Sequence, residues 1–168
     1  FLHWTGGSGD AGQLFRVLRA TKGPRTPDGL SVHYGVQSDG LLTQYAPDDL
    51  VCLHVADEND DSLGFEVTCP GYPGSASRSE AKRGIKRVEY QDRIRGRKIT
   101  MLDYTEAQHA TVTREVERLC ALHSIPRRVP VDADGNLLRR QMTRAELDAF
   151  DGVLGHFHAH DTKNDPGT

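Results

Sequence analysis

The chain has no CxxC pair and only three cysteines, Cys52, Cys69 and Cys120, at wide spacing. That argues against a thiolate zinc finger and against a disulfide framework. At most Cys52 and Cys69 pair; Cys120 falls on an apolar helical stripe and reads as core. No run of eighteen apolar residues occurs, so no segment reads as a membrane span. An excess of one charge is also missing. The 21 Lys and Arg against 24 Asp and Glu leave a net charge of -3, which argues against a general nucleic-acid binder. There is no initiator Met and no signal peptide, and residue 1 already lies in an apolar stretch. A domain cut from a longer precursor is therefore expected. The 168 residues, 36% of them hydrophobic, suit one domain with one core.

What is present is a mixture of strand and helix patterns without strict alternation, which predicts an α/β or α+β domain. Phe1 to Trp4 reads as a short strand, and residues 10–20 put Ala11, Leu14, Phe15 and Leu18 at helical spacing. Residues 22–29, with Pro24 and Pro27, read as loop. Val32, Tyr34 and Val36 alternate with polar or small residues, Ser38-Asp39-Gly40 supplies a tight turn, and Leu41 to Tyr45 returns as a second strand. Val51 to Val55 and Leu63 to Cys69 are further strand candidates. Gly71 to Lys98 is polar, basic and weakly periodic, and reads as a substrate-side loop or insertion. Thr105-Glu106-Ala107-Gln108 is a capping box opening a helix to about His123, with Val112, Val116, Leu119, Cys120 and His123 on one stripe. Asp132 to Asn136 lacks the downstream glutamate of a calcium loop and reads as a turn. Thr143 to Phe150 predicts a short capped helix, and Val153 to His156 a last strand.

Chemistry concentrates at the two ends. The closing segment holds His156, His158, His160, Lys163 and Asp165, and His3 stands at the start. Imidazole and carboxylate are the usual non-sulfur ligands of zinc, and a catalytic zinc keeps about three protein ligands with one open position. His3, His156 and Asp165 make such a set. A hydrolase built on it also needs a base for water and a cation for the oxyanion. Glu66, facing away from the apolar side of its strand, and Lys163 are the candidates. The residues alone leave alternatives open: chelation within a His-rich tail whose alternate histidines share a strand face, a solvated tail, and ordinary surface roles for Glu66 and Lys163.

Five segments in order add a resemblance. Leu2-His3-Trp4-Thr5-Gly6-Gly7 resembles the first-strand motif of the zinc-dependent N-acetylmuramoyl-L-alanine amidases, which include phage endolysins and the peptidoglycan recognition proteins. Residues 31–40 resemble their hairpin, and Ser62-Leu63-Gly64-Phe65-Glu66-Val67 the strand carrying their catalytic glutamate. Residues 104–108 resemble the start of their long helix. Gly155-His156 followed by Lys163-Asn164-Asp165-Pro166-Gly167 is similar to their ending.

The resemblance implies a single α/β domain over 1–168, with a central mixed sheet flanked by helices and a zinc cleft at one sheet edge. It implies Zn2+ held by His3, His156 and Asp165, with Glu66 as general base and Lys163 as oxyanion partner. His54, His33 and Tyr34 become substrate-side residues, although the tyrosine that some branches use stands at a different place in the hairpin motif. The interval from His156 to Lys163 is one residue shorter than the commonest bacterial pattern, which keeps His158 open as the second ligand. The implied reaction cuts the amide between N-acetylmuramic acid and L-alanine in peptidoglycan, by a monomer that is secreted, periplasmic or phage-delivered. A peptidoglycan-binding module without catalysis is the rival. The basic residues 78–98 match no motif; an anionic wall polymer, a muramyl carboxylate and plain solvation are all open for them.

Overall fold

In the computed structural model, which describes residues 1–7, Leu14, Leu18 and 30–167, four three-residue strands form the central sheet. They are β1 (Leu2–Trp4), β2 (Tyr34–Val36), β3 (Leu42–Gln44) and β4 (Phe65–Val67), in the order β1-β4-β2-β3. Strand β4 runs parallel to both β1 and β2, and β3 returns antiparallel to β2, so the sheet is mixed. The helix expected over 10–20 and the loop over 22–29 lie outside the described residues, apart from Leu14 and Leu18.

Strand side chains alternate between faces, and this sheet uses the two faces differently. Tyr34, Val36, Phe65 and Val67 point to one side and bury with Leu119. Each large side chain buried there contributes roughly 1.5–3 kcal/mol. The face is covered by the long helix α2 (Glu106–Leu122), which follows α1 (Ser75–Lys82) and a hairpin of β5 (Glu89–Ile94) and β6 (Arg97–Leu102). On the other side, the register sets His3, Glu66 and Gly35 in one row across β1, β4 and β2. Gly35 is small for a reason: a Cβ there would sit 2.6 Å from the Tyr45 ring and 2.8 Å from Leu14.

The α2 start is set by the expected capping box: Thr105 Oγ1 accepts from Gln108 N at 3.2 Å, and Gln108 Oε1 accepts from Thr105 N at 3.1 Å. Gln108 is also fully buried and donates to Thr68 O at 2.8 Å. A second box, Thr143 with Glu146, opens α3 (Arg144–Asp148).

Several expectations are corrected. Residues 71–98 are no irregular insertion. They fold as α1 and the β5–β6 hairpin, whose Ile94 and Met101 bury against Phe157. The organiser is Arg87, whose guanidinium donates to Glu80 Oε2 (2.6 Å) and Oε1 (3.0 Å), Thr68 O (2.8 Å), Asp103 O (3.1 Å) and Gln108 Oε1 (3.0 Å). Val51 to Val55 is not a strand. Its backbone donors are taken by side chains instead, Leu53 N by Ser31 Oγ and both His54 N and Val55 N by Asn59 Oδ1. Val153 to His156 makes only an isolated bridge, Leu2 to Gly155, before turning into α4 (His156–Ala159). The three terminal histidines therefore do not share a strand face. His123 is exposed and bonds Asp48 rather than joining the apolar stripe. Cys52 and Cys69 are free and buried, as is Cys120.

Candidate active site

The bridge beside β1 builds the site. Leu2 N donates to Leu154 O at 2.8 Å, which lays the chain end against the sheet edge and places His156 next to His3. His3 Nδ1 and His156 Nδ1 stand 2.9 Å apart; Asp165 Oδ2 is 3.0 Å from His156 Nδ1 and 3.5 Å from His3 Nδ1. All three residues are buried, and among the described residues they are the group able to hold a metal ion. Ligands about 2.0–2.2 Å from a tetrahedral zinc lie roughly 3.3–3.5 Å from one another. The observed spacing is close to that, so these donors fit such an ion.

Protonation agrees with this fit. Burial first, and then the neighbouring His156, hold His3 down to about 4 against the pull of Asp165. Burial pushes the Asp165 carboxyl upward, but hydrogen bonds from His156 and His3 outweigh it, and the group lies well below the usual carboxylate range. Neutral imidazole and ionised carboxylate are the forms that bind metal.

Glu66 is the register partner of His3 and lines the same cavity of about 410 Å³, together with His54, His156, Lys163 and Asp165. Burial and, second, the charge of Asp165 push its carboxyl up to about 8, while Lys163 opposes them. His54 meets His3 on the outer side, with His3 Nε2 and His54 Nδ1 at 3.1 Å. Burial first, then the nearby His3, depress His54 to about 2. Gly64 makes room for it, since a Cβ there would lie 2.7 Å from the His54 ring.

His33, His158 and Tyr34 stand outside the ligand cluster, while the His160 ring packs edge-on against His156 with centroids 5.5 Å apart. His33 is tied to backbone through both ring nitrogens, Nε2 to Leu50 O at 2.8 Å and Nδ1 to Gly64 N at 3.0 Å. Tyr34 points into the face covered by α2, where its hydroxyl meets Asp48 and stacks its ring on Phe65. His158 is likewise committed to backbone, accepting from Gly155 N at 3.0 Å and meeting Leu138 O at 2.8 Å, so it does not join the ligand cluster.

Sequence reasoning missed one wall of the cleft. Tyr72 packs edge-on against Trp4 with centroids 5.2 Å apart, and its hydroxyl accepts from Asn164 Nδ2 at 2.8 Å. Arg95, from the hairpin tip, donates to Lys163 O and to Asn164 Oδ1, both at 2.7 Å. It holds the segment between the two candidate functional residues Lys163 and Asp165. The neighbouring Arg95-Gly96 pair, both with positive φ (51° and 74°), makes the turn. An Asn-Gly there would have announced a hairpin; Arg-Gly does not.

A mixed α/β sheet with two histidines and a carboxylate converging beside a half-buried glutamate defines a class of domain suited to metal-assisted hydrolysis. The chain belongs to the N-acetylmuramoyl-L-alanine amidase family, whose model matches residues 1–168. No curated protein and no solved structure gives a match. Membership supports peptidoglycan amidase activity in general, in a family that acts on the cell wall and is generally zinc-dependent. Among the described residues, no helix is long and apolar enough to cross a membrane.

Proposed function

We propose that this chain hydrolyses the amide between the lactyl group of N-acetylmuramic acid and L-alanine, with zinc held by His3, His156 and Asp165. The observation that carries the reading is the convergence of His3 Nδ1, His156 Nδ1 and Asp165 Oδ2 in the cavity that Glu66 lines. A zinc ion bound there lowers the pKa of water and polarises a carbonyl.

The chain's own residues supply the rest. Glu66 takes the proton of the attacking water. It then passes that proton to the leaving amide nitrogen. The Lys163 ammonium, which lines the same cavity, balances the negative charge that develops on the carbonyl oxygen. A lone pair on His3 Nδ1 for the metal leaves the proton on Nε2, which donates to His54 Nδ1. His54 thus orients His3 while facing the substrate cavity. The chain acts as a monomeric catalytic domain at the cell wall.

Digestion of purified peptidoglycan with and without chelator tests this. New L-alanine amino termini that vanish with chelator and return with zinc are expected. New reducing sugars would make the enzyme a glycosidase, and wall binding without cleavage or stoichiometric zinc would make it a recognition module.

A further inference from the structure

The hairpin that clamps the cleft loop carries a charge the amidase chemistry does not use. Residues 78–98 hold nine Lys and Arg against three acids, in a chain whose net charge is -3. Two of those acids are consumed internally, Glu80 by Arg87 and Asp92 by Arg139. At the hairpin tip, Arg93 pairs directly across from Lys98, and Arg97 follows the turn; all three are exposed and form no ion pair among the described residues. Like charges facing each other across a strand pair destabilise it, so this arrangement works against the hairpin unless an anion lies over it. Arg93 Nη1 donates to Gly96 O at 3.0 Å, which lays its guanidinium along the turn. The tip adjoins the cleft, because Arg95 within the same turn bonds Lys163 O and Asn164 Oδ1.

We propose that this tip binds a phosphodiester-bearing polymer of the cell wall and so holds the cleft against its substrate. The inference rests on the reading of the cleft as wall-directed. Guanidinium forks match phosphate oxygens in pairs, whereas a lone lysine offers a point charge. A membrane surface fits less well, since the apolar residue of the tip, Ile94, is fully buried and leaves nothing to insert. Nucleic acid fits less well because the chain outside residues 78–98 is strongly acidic.

The test compares the wild-type chain with an Arg93→Gln/Arg97→Gln/Lys98→Gln variant in cosedimentation with purified walls, before and after acid extraction of the phosphodiester polymer. Wild type should bind intact walls about tenfold more tightly than extracted ones and lose that advantage as salt rises. The variant should bind both wall preparations equally, and both proteins should cut a soluble muramyl peptide at the same rate. Equal binding of variant and wild type to intact walls, or no effect of extraction on wild type, overturns the proposal. So does tighter binding to anionic vesicles or duplex DNA than to walls. If neither protein cuts the soluble peptide, the amidase assignment fails alone, and the binding comparison still decides this one.

Discussion

Replacing Arg87 with Met is the most informative single perturbation of the fold. The Arg87 and Glu80 side chains are each 2% exposed, and the guanidinium grips the carboxylate through two bonds. Methionine keeps much of the volume but leaves Glu80 buried and unpaired. Breaking a buried pair from one side costs about 3–5 kcal/mol, a large share of the roughly 5–15 kcal/mol that holds a domain folded. Three acceptors lose a donor as well: Asp103 O, and Thr68 O and Gln108 Oε1, which keep their bonds from Gln108 Nε2 and Thr105 N. Thr68 follows β4, the strand of Glu66, so the damage should reach the cleft. Urea unfolding should show the midpoint fall with an unchanged slope, and thermal melting should drop by roughly 6–20 °C for a chain of this size. The double variant Arg87→Met/Glu80→Leu removes the orphaned charge and should recover a good part of the loss, although the bonds from Arg87 to Thr68 O, Asp103 O and Gln108 Oε1 stay lost. A loss below about 1 kcal/mol for Arg87→Met, or a double variant no more stable than the single, would refute the claim that this pair is buried and mutually dependent.

Other outcomes follow from the site and its supports. Glu66→Gln should keep zinc, measured as metal content after dialysis, while kcat/KM falls by about 10²–10⁴; full turnover would remove Glu66 from the mechanism. Arg95→Gly suits the positive φ of that position but frees the Lys163–Asp165 segment, and zinc affinity should fall roughly 10–100-fold by competition with a chelator. An unchanged affinity would show that the segment holds itself. Glu115 is held below its usual 4.5 first by its hydrogen bond from Arg118, against burial, and then by Arg114. A depressed carboxyl stabilises the fold above the unfolded-state value and loses that contribution as pH falls through the folded one. Glu115→Gln should therefore flatten the stability curve below about pH 4.5 and leave it unchanged in shape near neutrality; an equal acid slope in both proteins would count against the pairing.

What the sequence disclosed, and what it hid, divides by the range of the interactions. Helix α2 was readable because its signal is local: Thr105 and Gln108 cap each other within four residues. The β2–β3 hairpin was readable for the same reason, through its Asp39-Gly40 turn. Val51 to Val55 misled because an apolar run predicts a strand only if strand neighbours take its backbone donors, and here Asn59 and Ser31 take them. The closing strand failed in a similar way. His158 accepts from Gly155 N, a local side-chain bond that competes with a sheet ladder and starts a helix instead. The β5–β6 hairpin stayed hidden because its inner face carries Asp92, and burial of that carboxylate depends on Arg139, far along the chain.

The site itself shows the same division more sharply. The residue types of a zinc hydrolase were visible at both ends of the chain, but nothing in the spacing required His3 to meet His156. That meeting depends on one backbone contact, Leu2 N to Leu154 O, which gives an edge strand a short parallel neighbour. Because the bridge it makes pairs Leu2 with Gly155, each one residue before a histidine, it carries His3 and His156 to the same side of the sheet edge, where Asp165 joins them. The same bridge sets His156 rather than His158 beside His3 and Asp165. With Gly155 paired to Leu2, residue 156 lines the cleft, and residue 158 turns back to cap the helix that starts at His156. A shift of that bridge by one residue would exchange the faces and separate the histidines. A single isolated bridge is therefore the contact on which the candidate metal site most depends.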